Sequence, residues 1–161
     1  MFDKRVAFID TLMVLAERDR RIVLIVADVG FKHADRFKEK FPDRYLNLGV
    51  TEQSIVIIAA GMALAGMKPW VYSMSNFVLY RPYEMVRNGI VFHNANVKLI
   101  GVSGAGRYGF LGRSHNDAFD GEHIKTAETL GLRVRQPIEA RDVSNVVLEE
   151  NADPTPVYIP L

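Results

Sequence analysis

Strand-like and helix-like segments alternate about six times along this sequence, and this alternation constrains the fold more than any other feature. The strand-like segments are short, apolar and bounded by Gly, Pro or Asp; they are residues 22–26, 45–48, 69–73, 97–102, 132–135 and 156–160. Apolar residues at helical spacing separate most of them. Because parallel strands need long crossovers, the pattern predicts an α/β fold with a mainly parallel β-sheet and helices on both faces.

The predicted helices differ in how much of their surface is apolar. They cover residues 5–18, 31–40, 52–66, 83–92, 120–130 and 139–150. The first carries one apolar stripe, as an amphipathic helix does. Residues 52–66 are apolar on every side, which predicts a fully buried helix.

Chain length, net charge and the lack of cysteine exclude several kinds of protein. A chain of 161 residues suits one domain, residues 1–161. Its net charge of +1 argues against nucleic-acid binding, and its longest near-apolar run, residues 54–67, is too short to span a bilayer. There is no cysteine, which excludes thiolate metal sites and fits a cytoplasmic protein.

Four loops follow the predicted strands, where ligands of parallel sheets bind. They cover residues 28–32, 49–53, 73–80 and 103–115. In the second, Glu52 begins the apolar helix, where Thr51 would cap it and the helix dipole would favour a carboxylate. The alternative is functional, because a carboxyl group against an apolar crevice would be held protonated or in a strong hydrogen bond.

The last of these loops is rich in glycine, with Gly104, Gly106, Gly109 and Gly112. Its spacing fits neither the dinucleotide-binding nor the phosphate-binding fingerprint. His115 ends the loop and is equally consistent with a surface histidine and a functional one. Aromatic residues spaced like those at 77, 80 and 83 belong more often to a core than to a binding site. His33 and His93 are expected at the surface. No set of histidine and carboxylate residues has the spacing expected of metal ligands.

These features together resemble the pyrimidine-binding domain of transketolase-type thiamine-diphosphate enzymes. Five segments carry the resemblance; they are residues 25–29, 41–53, 59–66 with 68–69, 77–88 with 96–98, and 109–115. The most specific reads Phe-Pro-Asp-Arg-Tyr, followed by Gly-Val-Thr-Glu-Gln at 49–53. The resemblance covers nearly the whole chain and implies that thiamine diphosphate is the cofactor.

The resemblance implies catalytic and cofactor-binding roles for several residues. The residue matching Glu52 hydrogen-bonds a ring nitrogen of the cofactor's aminopyrimidine, which helps its amino group remove the thiazolium proton. Phe77 matches an aromatic residue that stacks on the pyrimidine, and Tyr80 is expected to complete that pocket. Asp28 matches an aspartate near the subunit interface.

Substrate contacts are implied as well. His115 matches a histidine that contacts substrate hydroxyls beside the reacting carbon, and Arg5 is expected to contact the sugar phosphate. Two positions depart from the pattern of many sugar transketolases, because Leu111 replaces an aspartate and Arg113 replaces a proline. We expect Arg113 to attract an anionic substrate.

The family's other two domains are expected to lie outside this chain. The diphosphate and its magnesium ion are bound in the family through a Gly-Asp-Gly motif, which this sequence lacks. The third, C-terminal family domain has no match here either. A diphosphate-binding partner domain or subunit is therefore expected, with no metal ligand on this chain, in a homodimer or heterotetramer paired through residues 52–66.

Four functions are consistent with these features. The main one is the pyrimidine-binding module of a transketolase-like transferase that moves a two-carbon ketol unit between phosphorylated sugars. The alternatives are the equivalent part of a 2-oxo-acid dehydrogenase beta subunit, of a deoxyxylulose-phosphate synthase, or a non-catalytic scaffold. The Gly-Phe-Leu-Gly-x-Ser-His loop is more similar to transketolase than to the dehydrogenases, and a scaffold has no chemical need for Glu52, Phe77 and His115 together.

Overall fold

The computed structural model describes residues 3–104 and 108–161, so Gly106 lies outside the described residues. Within this part of the chain, six strands form one sheet in which all neighbouring strands run parallel. They are β1 (Ile22–Val26), β2 (Tyr45–Asn47), β3 (Lys68–Met74), β4 (Lys98–Val102), β5 (Arg133–Val134) and β6 (Val157–Pro160). The predicted α/β fold is confirmed, and the sheet is parallel throughout.

The order of the strands creates a crevice in the middle of the sheet. Across the sheet the order is β2-β1-β3-β4-β6-β5, with Ile25 of β1 opposite Val71 of β3. From β1 the chain first adds β2 on one side and then β3 on the other. The loops after β1 and β3 therefore leave in opposite directions, and such a switch point is where parallel sheets bind ligands.

Helices cover both faces of the sheet, as predicted. They are α1 (Lys4–Arg18), α2 (Asp35–Lys40), α3 (Glu52–Leu64), α4 (Ser75–Leu79), α5 (Tyr83–Met85), α6 (Glu122–Leu130) and α7 (Ala140–Ala152). Side chains of α1, α2 and α7 share one buried cluster with alternate strand residues, and those of α3 to α6 share the other. The period of two along each strand assigns its residues to the two layers, so that Trp70 packs toward α1 and Val71 toward α3.

Two predicted helices are shorter or different in the structure. The prediction of a helix over residues 31–40 was wrong in its first half, because Gly30 and Lys32 adopt positive φ angles and form a turn before α2. The helix predicted over residues 83–92 begins as α5 and continues as a π-helical turn, Val86–Val91. In addition, α4 forms in a segment predicted to be a loop.

The prediction that residues 52–66 are fully buried was also wrong for this chain. The inner side of α3 packs on the sheet through Ile55, Val56 and their neighbours, but Ile57, Ile58 and Leu64 are exposed. Thr51 does not cap the helix, since its hydroxyl donates to the carbonyl of Leu48. The outer side of α3 is thus an exposed apolar surface.

No helix within residues 3–104 and 108–161 has both the length and the apolar character needed to cross a bilayer.

Candidate functional site

A cleft of about 460 Å³ opens at the carboxyl ends of β1, β3 and β4. All four loops predicted to surround a ligand contribute to its wall. Their contributions include Asp28 and Phe31, Val50 and Glu52, Met74 and Phe77, and Leu111 and His115. His33, which was predicted at the surface, is half-buried and also lines the cleft.

Glu52 lies in the cleft wall as the first residue of α3 and is only 5% exposed. Its position follows from the turn at Gly49, whose φ angle of +72° suits glycine and lets the chain enter the helix directly after β2. The Glu52 carboxylate accepts a 2.8 Å hydrogen bond from Nη1 of Arg81. The structure thus places a carboxylate in a largely apolar cleft and pairs it with a guanidinium.

Phe77 lies beside Glu52 and presents its ring to two other side chains. The guanidinium carbon of Arg81 is 3.7 Å from the centre of that ring, which is a cation–π contact. The imidazole of His115 meets the ring edge-on, with the two ring centres 4.9 Å apart. The two residues predicted to be catalytic are therefore brought into one cleft from distant parts of the chain, with His115 against the Phe77 ring and Glu52 linked to that ring through Arg81.

Hydrogen bonds from two asparagine side chains hold the loop that carries His115. The amide of Asn116 donates to the carbonyl of Tyr108 at 2.9 Å and to that of Gly112 at 2.7 Å. Asn76, in α4, donates to the carbonyl of Asn116 at 3.1 Å. The Asn116 side chain thereby closes the loop on itself, and Asn76 anchors it to the helix that contains Phe77.

Gly104 is required for the same loop to close. A Cβ atom at residue 104 would lie 2.0 Å from the carbonyl oxygen of His115, a distance that no side chain could occupy. The backbone at Gly104 therefore passes directly against the backbone of His115. This close approach is the structural reason for one glycine of the predicted loop.

Tyr80 and Arg113 do not line the main cleft. Both border a neighbouring hollow that shares Phe77 and Arg81 with the cleft. The Tyr80 hydroxyl donates to Asp117 at 3.4 Å, and burial, aided by the nearby negative charge, raises the pKa of Tyr80 above its ordinary range. The expected contact of Tyr80 with the main pocket is thus replaced by a contact beneath the His115 loop.

Asp28 and Arg5 also line the cleft. Asp28 follows β1 with a φ angle of +51°, and its backbone N–H donates to Oδ1 of Asn47 at 3.1 Å. Arg5 forms a bidentate contact with Asp3, the N-cap of α1, and this hydrogen-bonded pair raises the pKa of Arg5. A guanidinium already paired with a carboxylate has only part of its charge available to an anion.

The described residues contain no group of three histidine, aspartate or glutamate side chains placed to hold a metal ion. His123 has one carboxylate neighbour, because its Nδ1 is hydrogen-bonded to Asp117. His123 is buried and Asp117 is half-buried, and Asp117 also accepts a hydrogen bond from the Tyr80 hydroxyl.

The contacts of Arg81, Asn76 and Asn116 were not predicted from the sequence. Arg81 follows Phe77 by four residues, the spacing at which side chains meet across a helical turn, and this was the available signal. The asparagines gave no signal, since their hydrogen bonds depend on how the loop after β4 folds back on α4.

Residues 1–161 match the family model described as the transketolase pyrimidine-binding domain. Among curated proteins, an apulose-4-phosphate transketolase subunit of Phocaeicola vulgatus is 33% identical over 156 residues, which are 96% of this chain and 49% of that protein. The 1-deoxy-D-xylulose-5-phosphate synthase of Bacillus velezensis is 37% identical over 153 residues, 93% of this chain and 24% of that protein. The chain therefore spans half or less of the length of these relatives.

Solved structures agree with this relationship. A split-gene transketolase, described as an inactive beta4 tetramer, superposes with a TM-score of 0.85 at 28% identity and covers 98% of this chain and 50% of its own. Transketolase from Leishmania mexicana superposes with a TM-score of 0.77 over 97% of this chain and 24% of its own. Its 20% identity supports the fold alone.

Proposed function

Because this chain belongs to the transketolase pyrimidine-binding domain family, we propose that it forms the pyrimidine half of a thiamine-diphosphate site. The enzyme so formed transfers a two-carbon ketol unit between phosphorylated sugars. One observation carries the proposal: the buried Glu52 carboxylate lies beside the ring of Phe77 in a cleft at the switch point of the sheet. Residues 1–161 act as one such domain.

The side chains that line the cleft fit an aminopyrimidine. This ring is flat, has an apolar face, and carries nitrogens that hydrogen-bond a carboxyl group. Phe77 offers an aromatic face and Glu52 a carboxylate, and both line the same cleft. Thiamine diphosphate, when bound, supplies an electron sink that lets the carbon–carbon bond next to a ketone carbonyl break and re-form.

Each residue of this chain then has a defined task. Glu52 holds the ring nitrogen through its carboxyl oxygen and carries the proton that sets the ring's tautomer. Phe77 fixes the plane of the ring. His115 donates hydrogen bonds to substrate hydroxyls, and the phosphate of the sugar is attracted by Arg5 in the cleft and by Arg113 in the neighbouring hollow. Asp28 borders the cofactor site directly, whereas Tyr80 adjoins it from the neighbouring hollow, which shares Phe77 with the cleft.

A second domain or subunit completes the site. We propose that it binds the diphosphate and its Mg²⁺ ion. Support comes from the share of each relative that this chain covers, which is 49% and 24%, and from the name of the first, which describes it as a subunit. The assembly is then a homodimer of longer chains or a heterotetramer with a diphosphate-binding subunit.

A deoxyxylulose-phosphate synthase is the second candidate. The relative of that name is 37% identical over 153 residues. The two activities form different products, since one transfers a ketol unit between sugar phosphates and the other forms 1-deoxy-D-xylulose 5-phosphate. Assays of one purified assembly for each product therefore separate them, and formation of 1-deoxy-D-xylulose 5-phosphate would overturn the main proposal.

The test begins with purification of the native assembly and identification of its chains by mass. We expect a partner, or a longer form of this chain, that carries Gly-Asp-Gly. In the reconstituted assembly, Glu52→Gln should lower kcat by about 100-fold or more, because an amide cannot carry the proton. Glu128→Gln, at an exposed position of α6, is the matched control and should leave kcat unchanged. Unchanged turnover of Glu52→Gln in an intact assembly would leave only the scaffold function.

A further inference from the structure

Arg81 occupies the wall between three hollows of the surface. It lines the main cleft, the hollow beside Val50 and Ser54, and the hollow beside Tyr80. Its side chain is 42% exposed, whereas that of Glu52, its partner, is 5% exposed. The cation therefore reaches from solvent into the cleft to meet the carboxylate.

The guanidinium makes the two contacts that the proposed function assigns to the aminopyrimidine. It donates to Oε1 of Glu52 at 2.8 Å and stands 3.7 Å from the centre of the Phe77 ring. Like an aminopyrimidine, a guanidinium is flat, delocalised and edged with N–H donors. An aminopyrimidine and this side chain cannot both lie on the same face of Phe77 and against the same carboxylate oxygen.

We propose that Arg81 is an internal competitor for the pyrimidine site, which it fills until the ring displaces it. This inference rests on the proposed function, because it takes Glu52 and Phe77 as the pyrimidine site. Binding then has two steps: the guanidinium leaves Glu52 and Phe77, and the ring takes its place. When no ligand is bound, the buried carboxylate of Glu52 thereby keeps a hydrogen-bond donor, which avoids the free-energy cost of leaving it unpaired.

A neighbouring hollow can accommodate the Arg81 side chain once the ligand displaces it. The hollow beside Tyr80 borders Arg81 and is also lined by Glu122, a carboxylate that can accept the guanidinium. Because the arginine side chain is partly exposed and already borders this hollow, we expect rotation about its own bonds to move the guanidinium there. The ion pair that the ligand must break is itself partly exposed, which limits its strength.

The test uses the neutral probe 4-amino-5-(hydroxymethyl)-2-methylpyrimidine, which has the aminopyrimidine ring and no thiazolium charge. Its dissociation constant is measured by ligand titration in NMR spectra of the purified chain. Arg81→Met removes both contacts of the guanidinium and should tighten binding about five- to tenfold, the combined value of one partly exposed ion pair and one cation–π contact. Arg81→Lys keeps the charge and loses the flat shape, so it should give a smaller gain.

Two further variants make the result specific. Arg87→Met removes an equivalent charge from an exposed position on the π-helical turn and should bind the probe as the unaltered chain does. Glu52→Gln tests the proposed function itself and should lose most of the binding. In the unaltered chain, the side-chain Nε–H resonance of Arg81 should also shift when the probe binds, because the guanidinium leaves the Phe77 ring.

The outcomes are distinguishable. If the unaltered chain binds the probe and Glu52→Gln does not, but Arg81→Met binds equally or more weakly, then Arg81 belongs to the bound site and the competitor inference fails alone. If Glu52→Gln binds as well as the unaltered chain, or if no variant binds, the proposed pyrimidine site fails and the inference fails with it. Tighter binding by Arg81→Met, with loss in Glu52→Gln, supports both.

Discussion

Asn116 is the residue on which the shape of the His115 loop depends. Its two donated hydrogen bonds reach the carbonyl of Tyr108, just before the 3-10 helical segment Gly109–Ser114, and the carbonyl of Gly112 within that segment. His115 is the preceding residue, so its imidazole is placed by the same contacts. The substrate contact proposed for His115 needs this kind of support, because small displacements cost large factors in rate.

Asn116→Ala is therefore expected to reduce kcat/KM of the assembled enzyme about tenfold while leaving its affinity for thiamine diphosphate nearly unchanged. The reason is that the loop loses its closure, whereas Glu52 and Phe77 keep their places. Steady-state kinetics and a cofactor titration measure the two effects. Asn145→Ala, at an exposed position of α7, is the control. Equal losses of cofactor affinity and of kcat/KM would contradict a role confined to the loop.

Lys98 is a buried cation at the other end of the sheet from the cleft. It begins β4, is 2% exposed, and donates to the carbonyls of Asp153 and Thr155 at 2.7 and 2.6 Å. Burial lowers the pKa of Lys98 to about 8, although Glu150 and Asp153 favour its charge. Arg133 and Lys68 act in the same direction as burial.

This shift predicts how stability changes with pH. The folded chain releases the Lys98 proton near pH 8 and the unfolded chain near 10.5, so the unfolded state binds more protons between these values. The free energy of unfolding should rise with pH there, by about 2 kcal/mol from pH 7 to pH 10 relative to Lys98→Met. Denaturant unfolding at several pH values measures it, with Lys125→Met, an exposed lysine on α6, as control. A parallel pH profile for Lys98→Met and the unaltered chain would contradict the assignment.

At the scale of elements, β4, β6 and α4 meet at one crowded point. A Cβ atom at Gly101 of β4 would lie 2.3 Å from the hydroxyl oxygen of Tyr158 in β6. That hydroxyl donates to Oγ of Ser75, the first residue of α4, at 3.0 Å. The position of α4, the helix that carries Phe77, thus depends on a glycine in β4, a central strand of the sheet.

Gly101→Ala should destabilise the chain by about 1–3 kcal/mol, because the ring of Tyr158 must move and its bond to Ser75 is lost. Thermal or denaturant unfolding measures the loss. Gly109→Ala is the control, since a Cβ there meets no atom within 4 Å. Equal stability of the two variants would contradict this prediction, because it would mean that Tyr158 can move away from residue 101 without a cost in the free energy of unfolding.

At the scale of the whole molecule, the outer side of α3 is an exposed apolar surface. Ile57, Ile58 and Leu64 expose 48%, 41% and 63% of their surface there. The neighbouring π-helical turn approaches α3 so closely that a Cβ at Gly89 would lie 2.8 Å from Ile57. An apolar surface of this kind on a small domain favours association, and we expect the chain to pair through it.

Ile58→Glu should weaken this association, because pairing would bury an uncompensated charge. Sedimentation over a range of concentrations measures it. Leu148→Glu, at an exposed position of α7 on the opposite face of the sheet, should leave association unchanged. A chain that stays monomeric at every concentration, or that associates equally well with Ile58→Glu, would contradict pairing through α3.

The architecture could be predicted from the sequence by itself, because strands and helices depend on the local spacing of apolar and turn-forming residues. The β-branched runs and their bounding Gly, Pro and Asp residues located all six strands of the described sheet to within two residues at each end. The same patterns placed Glu52 at a strand-to-helix junction and predicted that four loops surround one cleft. Local period, turn chemistry and the crossover rule are sufficient for these results.

Only the tertiary structure decided which side chains meet. Arg81 pairs with Glu52 across 29 residues, and Asn116 and Asn76 meet across 40. Tyr80 lies in the neighbouring hollow rather than in the cleft, since its hydroxyl is held by Asp117. The outer side of α3 is as apolar in sequence as its inner side, and only the position of the sheet distinguishes them. Contacts of this kind depend on how loops fold across one another, and no local pattern records that.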